Sequence, residues 1–477
     1  MRQGSLPFTR RSFLAGSATL GAAFVTYAPA RSATRIAKDV MLTAAPGRAA
    51  LAGSPHPDTA VWCFNGQVPG PEIRVRQGER IRVRVENRLA EESTVHWHGI
   101  RVPNAMDGVP HLTQKPIAPG ESFDYEFTCP DAGTFWYHPH QRSHVQVERG
   151  LYGALIVEEA SPIAVDRDIT WVLDDWRLLK DASISNDFGN MHDMSHNGRV
   201  GNTVTINGRI LDAFAVRAGE RVRLRLINAA NARIFGLEFK DHEPFVIALD
   251  GQPVDPHHPP DGRVVLGPAM RADLILDMSG NPGARFQVLD TFYRGLEYRL
   301  VDLAYGNEAP LRAKPSADVP RLADNPLPEP DLKTAQRHEI VLGGGMMGTM
   351  RSAMMDGRMV DTRTLMHNGL MWAINGVAAT GHMHEPLLTL TRGRPYVFEL
   401  ANDTVWPHPM HLHGHSFRVI SRNGEPTRHR EWLDTILLHR RERAEIAFVA
   451  DNPGDWMFHC HILEHQAGGM MGTIRVT

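Results

Sequence analysis

Gly78-Glu79-Arg80-Ile81-Arg82-Val83-Arg84-Val85-Glu86-Asn87 alternates apolar and charged residues, the pattern of a strand with two unlike faces. Side chains on a strand point to opposite faces in turn, so Ile81, Val83 and Val85 share one face and the arginines the other. The pattern returns as Gly219-Glu220-Arg221-Val222-Arg223-Leu224-Arg225-Leu226-Ile227-Asn228. A weaker copy runs from Gly393-Arg394 through Tyr396-Val397-Phe398-Glu399-Leu400 and ends near Asn402. An Asn-Gly turn leads each copy: Asn65-Gly66, Asn207-Gly208 and Asn375-Gly376. The repeat predicts three related β-sandwiches whose strands have one buried and one wet face. They are expected over residues 38–160, 165–330 and 335–477, with Pro310 to Pro330 as the linker before the third.

Length and composition agree. A chain of 477 residues exceeds one hydrophobic core and suits about three domains of roughly 150 residues. It has 33 Pro, 42 Gly and no long amphipathic helical pattern, which predicts an all-β class. A net charge of −3 without a basic stripe argues against nucleic acid as a partner. With only Cys63, Cys129 and Cys460, the chain is no disulfide scaffold. If Cys460 binds metal, Cys63 and Cys129 either bridge or remain two buried thiols.

Thr9-Arg10-Arg11-Ser12-Phe13-Leu14, the small apolar run Ala15 to Ala28 and the cleavage-like Ala28-Pro29-Ala30 form a twin-arginine signal pattern. Residues 1–30 are therefore expected to be removed after export of the folded protein to the periplasm. The run is short for a bilayer span, and no other transmembrane candidate appears, so no stable membrane insertion is expected after cleavage. A monomer is expected.

Ten of the 25 histidines fall in four tight groups. They are His96-Trp97-His98-Gly99, Trp136-Tyr137-His138-Pro139-His140, His408-Pro409-Met410-His411-Leu412-His413-Gly414, and His459-Cys460-His461-Ile462-Leu463-Glu464-His465 followed by Met470. Two groups fall in the first expected domain and two in the third; the middle domain has no HxH pair and reads as a spacer. On extended backbone Cys460 points one way while His459 and His461 point the other. His411 and His413 share a face, and His408, an odd number of residues away, faces opposite and can join Cys460. Parity thus sorts the ligands into two sets. The first, His408, Cys460, His465 and Met470, has the composition of a blue-copper electron-transfer site. The second, His96, His98, His138, His140, His411, His413, His459 and His461, offers eight imidazoles, enough for three copper ions with open positions for an oxygen ligand. Dioxygen needs four electrons to become water, and a one-electron port wired to a three-copper cluster supplies them singly. Imidazole also suits zinc and iron, but zinc cannot use an electron path, so the cysteine group decides for copper.

These four groups, with the threefold repeat, resemble the ligand segments of the multicopper oxidases, the laccase-like family, over nearly all of the chain after the signal. The resemblance implies three consecutive cupredoxin-like Greek-key sandwiches and four copper ions. His408, Cys460, His465 and Met470 would hold the type 1 copper. His96 and His411 match the type 2 ligands. His98, His138 and His461 match one type 3 copper, and His140, His413 and His459 the other. Asp107 stands where the family carries an acid that helps deliver protons to the cluster, although Asp107-Gly108 is equally a turn signal. Many relatives have a glutamate directly after the last type 1 histidine; Gln466 stands there in this chain, and its amide cannot supply a titrating proton.

The expected activity is oxidation of four one-electron donors, cuprous ions, phenols or aromatic amines, coupled to reduction of dioxygen to water. Met346, Met347, Met350, Met354, Met355, Met359, Met366 and Met371 crowd one segment, and thioethers favour Cu(I). The segment resembles the methionine-rich insert of the copper-efflux oxidases and points to copper tolerance; otherwise its methionines pack as a lid. The efflux oxidases place an Asp and a Met just upstream of the first type 1 histidine, whereas Asp403 is displaced by one residue and Trp406 stands where the methionine would. That favours the alternative, a laccase acting mainly on phenols, with Trp406 lining an aromatic pocket. Met191, His192, Met194 and His196 form either another soft metal patch or a surface loop. Two other classes share the fold, a two-copper nitrite reductase and a non-enzymatic periplasmic scaffold.

Overall fold

The computed structural model describes residues 36–313, 318–381 and 385–477. The expected export signal therefore lies outside the described residues. Strands dominate, and the α-helices run only four to six residues. The fold is all-β, three consecutive cupredoxin-like Greek-key sandwiches. Strands from Ile36 to Glu158 build two four-stranded sheets; those from Arg167 to Tyr305 build a six- and a five-stranded sheet; those from Gln336 to Val476 build a seven- and a five-stranded sheet. Each pair of sheets encloses its own apolar core.

The three sequence copies become three equivalent strands. Arg80–Asn87 runs parallel to Ile36–Ala49 and antiparallel to Ser122–Thr128. Arg221–Asn228 pairs in the same way with Arg167–Trp176 and Arg271–Asp277. Pro395–Asn402 does so with Gln336–Gly344 and Arg443–Val449. The asparagine closing each strand does one job three times. Asn87, Asn228 and Asn402 each accept from the backbone N–H two residues on and donate to two loop carbonyls. Asn65, Asn207 and Asn375 repeat another device: each adopts a positive φ of 53°, 52° and 49° and pins the domain's first strand through its side-chain amide. Asparagine tolerates that backbone region, and its amide both donates and accepts.

One expectation fails in the middle copy. Arg80–Asn87 alternates buried and partly exposed residues as read, but every residue of Arg221–Asn228 is buried. The arginine face is not wet because the first domain covers it. Arg223 pairs with Glu159 and Asp273, both at 2.7 Å, and Arg225 pairs with Asp168 and donates to the Thr134 hydroxyl. The segment before the third domain is likewise fastened: Asn325 accepts from the Ala132 N–H and donates to the Ala132 carbonyl and to Gln252. Cys63 and Cys129 are buried free thiols, so no bridge joins them.

The first and middle domains meet so closely at Gly133 (φ 151°) that an added Cβ would lie 2.1 Å from the carbonyl oxygen of Gly251. Gly133→Ala is expected to destabilise the protein by about 1–3 kcal/mol, read as a lower urea midpoint at unchanged slope.

Candidate metal centre

Four segments converge from two sandwiches. In the first, His96–His98 pairs antiparallel with Gly133–His138, setting His96 opposite His138. In the third, His408–Leu412 pairs with Gly454–Cys460, setting His411 opposite His459 and Met410 opposite Cys460. Residues opposite one another share a face, so the parity reading holds: His411 and His459 look one way, Met410 and Cys460 the other.

On the cysteine side, Cys460 Sγ lies 3.5 Å from His408 Nδ1 and 3.7 Å from His465 Nδ1, and the two nitrogens are 3.1 Å apart. All three residues are buried. Their outer nitrogens are engaged: His465 Nε2 donates to the His196 carbonyl at 2.7 Å, and His408 Nε2 bonds the Thr404 hydroxyl at 2.8 Å. Both Nδ1 atoms are thereby turned toward the sulfur. Met470 is fully buried beside them, its carbonyl accepting from the Cys460 N–H. Burial raises the Cys460 thiol well above its ordinary value, so without a cation the site keeps a neutral thiol.

On the other side, eight imidazoles interlock across the boundary between the first and third domains. His96 stacks on His413 at 3.9 Å between centroids and His98 on His411 at 3.8 Å. His138 Nε2 faces His461 Nε2 at 3.4 Å, and His413 Nε2 faces His459 Nε2 at 3.1 Å. Nitrogens about 2.0–2.1 Å from one tetrahedral metal end about 3.3 Å apart. His140, His413 and His459 form one compact ligand group, and His96, His411 and His413 another. Burial, followed by neighbouring imidazoles, lowers the pKa of His98, His138, His140, His413, His459 and His461; burial likewise lowers that of His411 against the pull of Asp434. These rings are neutral and offer lone pairs. Yet His96 Nε2, His98 Nδ1, His140 Nε2, His411 Nε2 and His461 Nδ1 are buried without a hydrogen-bond partner. Each such orphan costs about 1–3 kcal/mol, a penalty that metal ligation removes.

Asp107 occupies a turn, ending the short 3₁₀ segment Asn104–Met106, and also lies buried against the cluster. His413 Nδ1 donates to Asp107 Oδ2 at 2.9 Å, and His96 Nδ1 to the Asp107 carbonyl at 2.8 Å. Gln466 lies beside the cluster too, its Nε2 3.5 Å from His140 Nδ1 and its Oε1 accepting from the Ser143 hydroxyl.

Sequence reasoning missed Asp434, Arg271 and Asp250. Asp434 Oδ1 is 3.1 Å from His98 Nε2, and its carbonyl accepts from His411 Nδ1 at 2.8 Å. Arg271 of the middle domain grips Asp434 through both terminal nitrogens, at 2.8 and 2.5 Å. Burial pushes the Asp434 carboxyl up, but the Arg271 charge and its hydrogen bonds outweigh this and hold it well below the usual range. Burial and then the Asp434 charge push Asp250 up to about 7. Gly99 (φ 84°) makes room for the pair: an added Cβ would lie 2.3 Å from Arg271 and 2.5 Å from Asp434. The available signal was thin, one acid inside the otherwise uncharged run Trp432-Leu433-Asp434-Thr435-Ile436-Leu437-Leu438.

The methionine segment folds as a hairpin, Ser352–Met355 with Arg358–Asp361, and a short helix, Thr362–His367. Met346, Met347, Met359 and Met366 are exposed, whereas Met350 and Met355 pack on a small apolar cluster and Met371 enters the main core. Asp403 pairs with Arg443, and Trp406 donates to the Met346 carbonyl. The middle-domain helix Met191–Ser195 covers the cysteine site. Met194 is buried there, with its carbonyl bonded by Trp372, so Met191, His192, Met194 and His196 do not form one patch.

Multicopper oxidase domain profiles match residues 48–162, 167–294 and 355–477. The chain is similar to "Multicopper oxidase MmcO" of Mycobacterium tuberculosis, 31% identical with 95% of this chain and 90% of that one covered. It is also similar to "Laccase-2" of Fomitopsis schrenkii, 30% identical over 85% and 84% of the two chains. The solved multi-copper oxidase from Pseudomonas parafulva superposes with a TM-score of 0.78, 38% identity, and coverage of 92% of this chain and 100% of that one. The chain belongs to the multicopper oxidase family. It is a copper-dependent oxidoreductase that takes electrons from a donor and uses dioxygen as acceptor. The residues fit copper, since a buried thiol with two imidazoles and a cluster of unpartnered neutral imidazoles are soft and borderline donors. No helix among the described residues is long and apolar enough to cross a membrane.

Asp434→Ala is expected to destabilise the metal-free protein by about 3–5 kcal/mol in urea unfolding, because Arg271 then remains charged in a buried site. Adding Arg271→Met should recover part of that loss.

Proposed function

We propose that the chain holds four copper ions and couples the one-electron oxidation of four donor equivalents to the four-electron reduction of dioxygen to water. The observation that carries this reading is the split at Cys460: its sulfur faces His408 and His465, while its chain neighbours His459 and His461 face the other histidines. In this reading His408, Cys460 and His465, with Met470, hold one copper. His96 and His411 hold a second, His98, His138 and His461 a third, and His140, His413 and His459 a fourth. Bound copper supplies a one-electron carrier at the thiolate and a multi-electron site for dioxygen among the imidazoles.

The chain's own residues do the rest. Peptide bonds link Cys460 to His459 and His461, and a hydrogen bond from His459 Nδ1 to the Cys460 carbonyl at 2.9 Å stiffens that link. It fixes the separation of the two sites. Asp107 orients the His413 and His96 rings, and its buried Oδ1, 3.2 Å from His96 Nδ1, is the oxygen placed to pass a proton beside the cluster. Gln466 cannot carry that proton, so Asp107 takes the role. A cavity of about 700 Å³ reaches His140, Ser143 and Gln466 and serves as the route for dioxygen and water.

The donors are cuprous ions, phenols or aromatic amines, with a part in copper tolerance. The four exposed methionines of the methionine segment, Met346, Met347, Met359 and Met366, support the cuprous arm, since thioethers at a surface have no packing role and bind Cu(I). The domain limits near residues 160 and 330, export by the twin-arginine route to the periplasm, signal cleavage and a monomeric state belong to the same proposal.

Purified enzyme should contain four coppers per chain; two would indicate a nitrite-reductase-like protein and none a scaffold. Cys460→Ser should lose one copper, the strong visible absorption and oxygen consumption down to background, and full activity in that variant refutes the electron-port assignment. Met347→Leu with Met359→Leu should raise KM for Cu(I) about five-fold and leave KM for a simple phenol unchanged; equal behaviour with both donors removes the cuprous role of these side chains.

A further inference from the structure

Neither imidazole of the cysteine site can touch a donor. His465 is capped by the His196 carbonyl and His408 by the Thr404 hydroxyl, and both rings are fully buried. Open surface does reach the chain neighbours of these ligands. Ile462, whose N–H donates to Cys460 Sγ at 3.4 Å, and Pro407, which directly precedes His408, line one hollow of about 330 Å³ between the middle and third domains. Phe292, Tyr293 and Arg440 form other parts of its wall. A second hollow of about 510 Å³ shares Asn197 and Tyr293 with the first and continues outward along Tyr298 and Leu300. Its outer lip carries Ile210 and Leu296, large apolar side chains 54% and 74% exposed. Together they make one groove from solvent to the residues flanking two of the ligands.

The lining selects the ligand. Neither hollow has a methionine or cysteine among its lining residues, and His439 is the one imidazole, too few donors to hold a cuprous ion there. Tyr293, Tyr298 and Phe292 offer ring faces and edges instead. Arg233 lies 5.7 Å over the Tyr293 ring and 6.0 Å over Tyr298, with its charge balanced by Asp175 at 2.8 Å, so it braces both rings. Arg440 is different. It is exposed at the inner hollow and has no carboxylate partner among the described residues. Aromatic walls ending at one unpaired guanidinium suit a flat ring that carries an anion.

We propose that this groove is the docking site for the electron donor, and that the donor class is a phenol bearing a carboxylate, its ring against Tyr293 and Ile462 and its carboxylate on Arg440. The proposal rests on the oxidase reading above and names the substrate of that activity. Each phenol ArOH loses one electron across Ile462 and Pro407 and one proton to water, leaving the radical ArO•. Four such events supply the four electrons and four protons with which dioxygen becomes two waters.

The test uses the full copper-loaded enzyme, 4-hydroxy-3,5-dimethoxybenzoate and its methyl ester as donors, and 3,4,5-trimethoxybenzoate as a redox-inert ligand followed by titration calorimetry. Wild type should show a KM for the acid about five- to ten-fold below that for the ester, and Arg440→Met should erase the difference. The inert acid should bind the wild type and bind Arg440→Met correspondingly more weakly; Arg440 is a surface residue, so the variant should fold. No acid-over-ester preference in the wild type, a preference retained in Arg440→Met, or unchanged binding of the inert acid overturns the proposal. Absence of oxygen consumption by the wild type with every donor overturns the oxidase reading instead, while the binding titration still reports on the groove.

Discussion

Arg271 is the contact on which the arrangement of the three sandwiches turns. Its guanidinium donates to the Thr134 carbonyl of the first domain and to both carboxylate oxygens of Asp434 in the third, while its own domain supplies Asp250. A buried arginine keeps its charge, so two carboxylates and a carbonyl must stay where its planar fork points. Asp434 in turn holds His98 through its carboxylate and His411 through its carbonyl, one imidazole from each outer domain. The cluster's alignment is thus inherited from an ion pair that contains no histidine. Replacing such a network with apolar residues is often neutral for stability, whereas its geometric consequence here is specific: it orients rings that face each other across a domain boundary.

That network also changes the standing of the middle domain. Read as a spacer, it lacks any HxH pair, and none of its described histidines joins the cluster. It nevertheless supplies Arg271 and Asp250, covers the cysteine site with the helix Met191–Ser195, and forms one wall of the groove beside Ile462. Its arginine-bearing strand is buried against the first domain rather than wetted. A domain without ligands sets the positions of those that have them.

What the sequence disclosed and what it concealed follow from the range of the interactions. Period-two alternation reports one strand's two faces, so the repeat at Arg80–Asn87, Arg221–Asn228 and Pro395–Asn402 and the opposed directions of Cys460 and His459 were legible. Alternation cannot report what covers the second face, and so the buried Arg223 and Arg225 were misread as wet. Asp107 was found through the family resemblance, since it stands where the multicopper oxidases carry an acid after the first histidine motif. Asp434 and Arg271 were not, since they are 163 residues apart and neither sits in a motif. Whether Met191, His192, Met194 and His196 form a soft patch depended on what packs against their helix: Met194 is buried with its carbonyl bonded by Trp372, while His192 and His196 stack on each other at 4.3 Å between centroids.

The two sites approach the outside from different directions, and this follows from the strand itself. Cys460 and its neighbours occupy opposite faces of Gly454–Cys460, so one face leads to the groove at Pro407 and Ile462 and the other toward the cavity beside His140 and Gln466. In the proposed oxidase, a donor large enough to need aromatic walls and a small oxidant needing only a narrow route would never compete for one pocket. The thin partition between them is covalent and short, which suits electron transfer and excludes the molecules themselves. Separating reactants by the pleat of a single strand requires only that one cysteine and two histidines be consecutive, and a one-residue slip in register would place sulfur among the imidazoles and leave neither site complete.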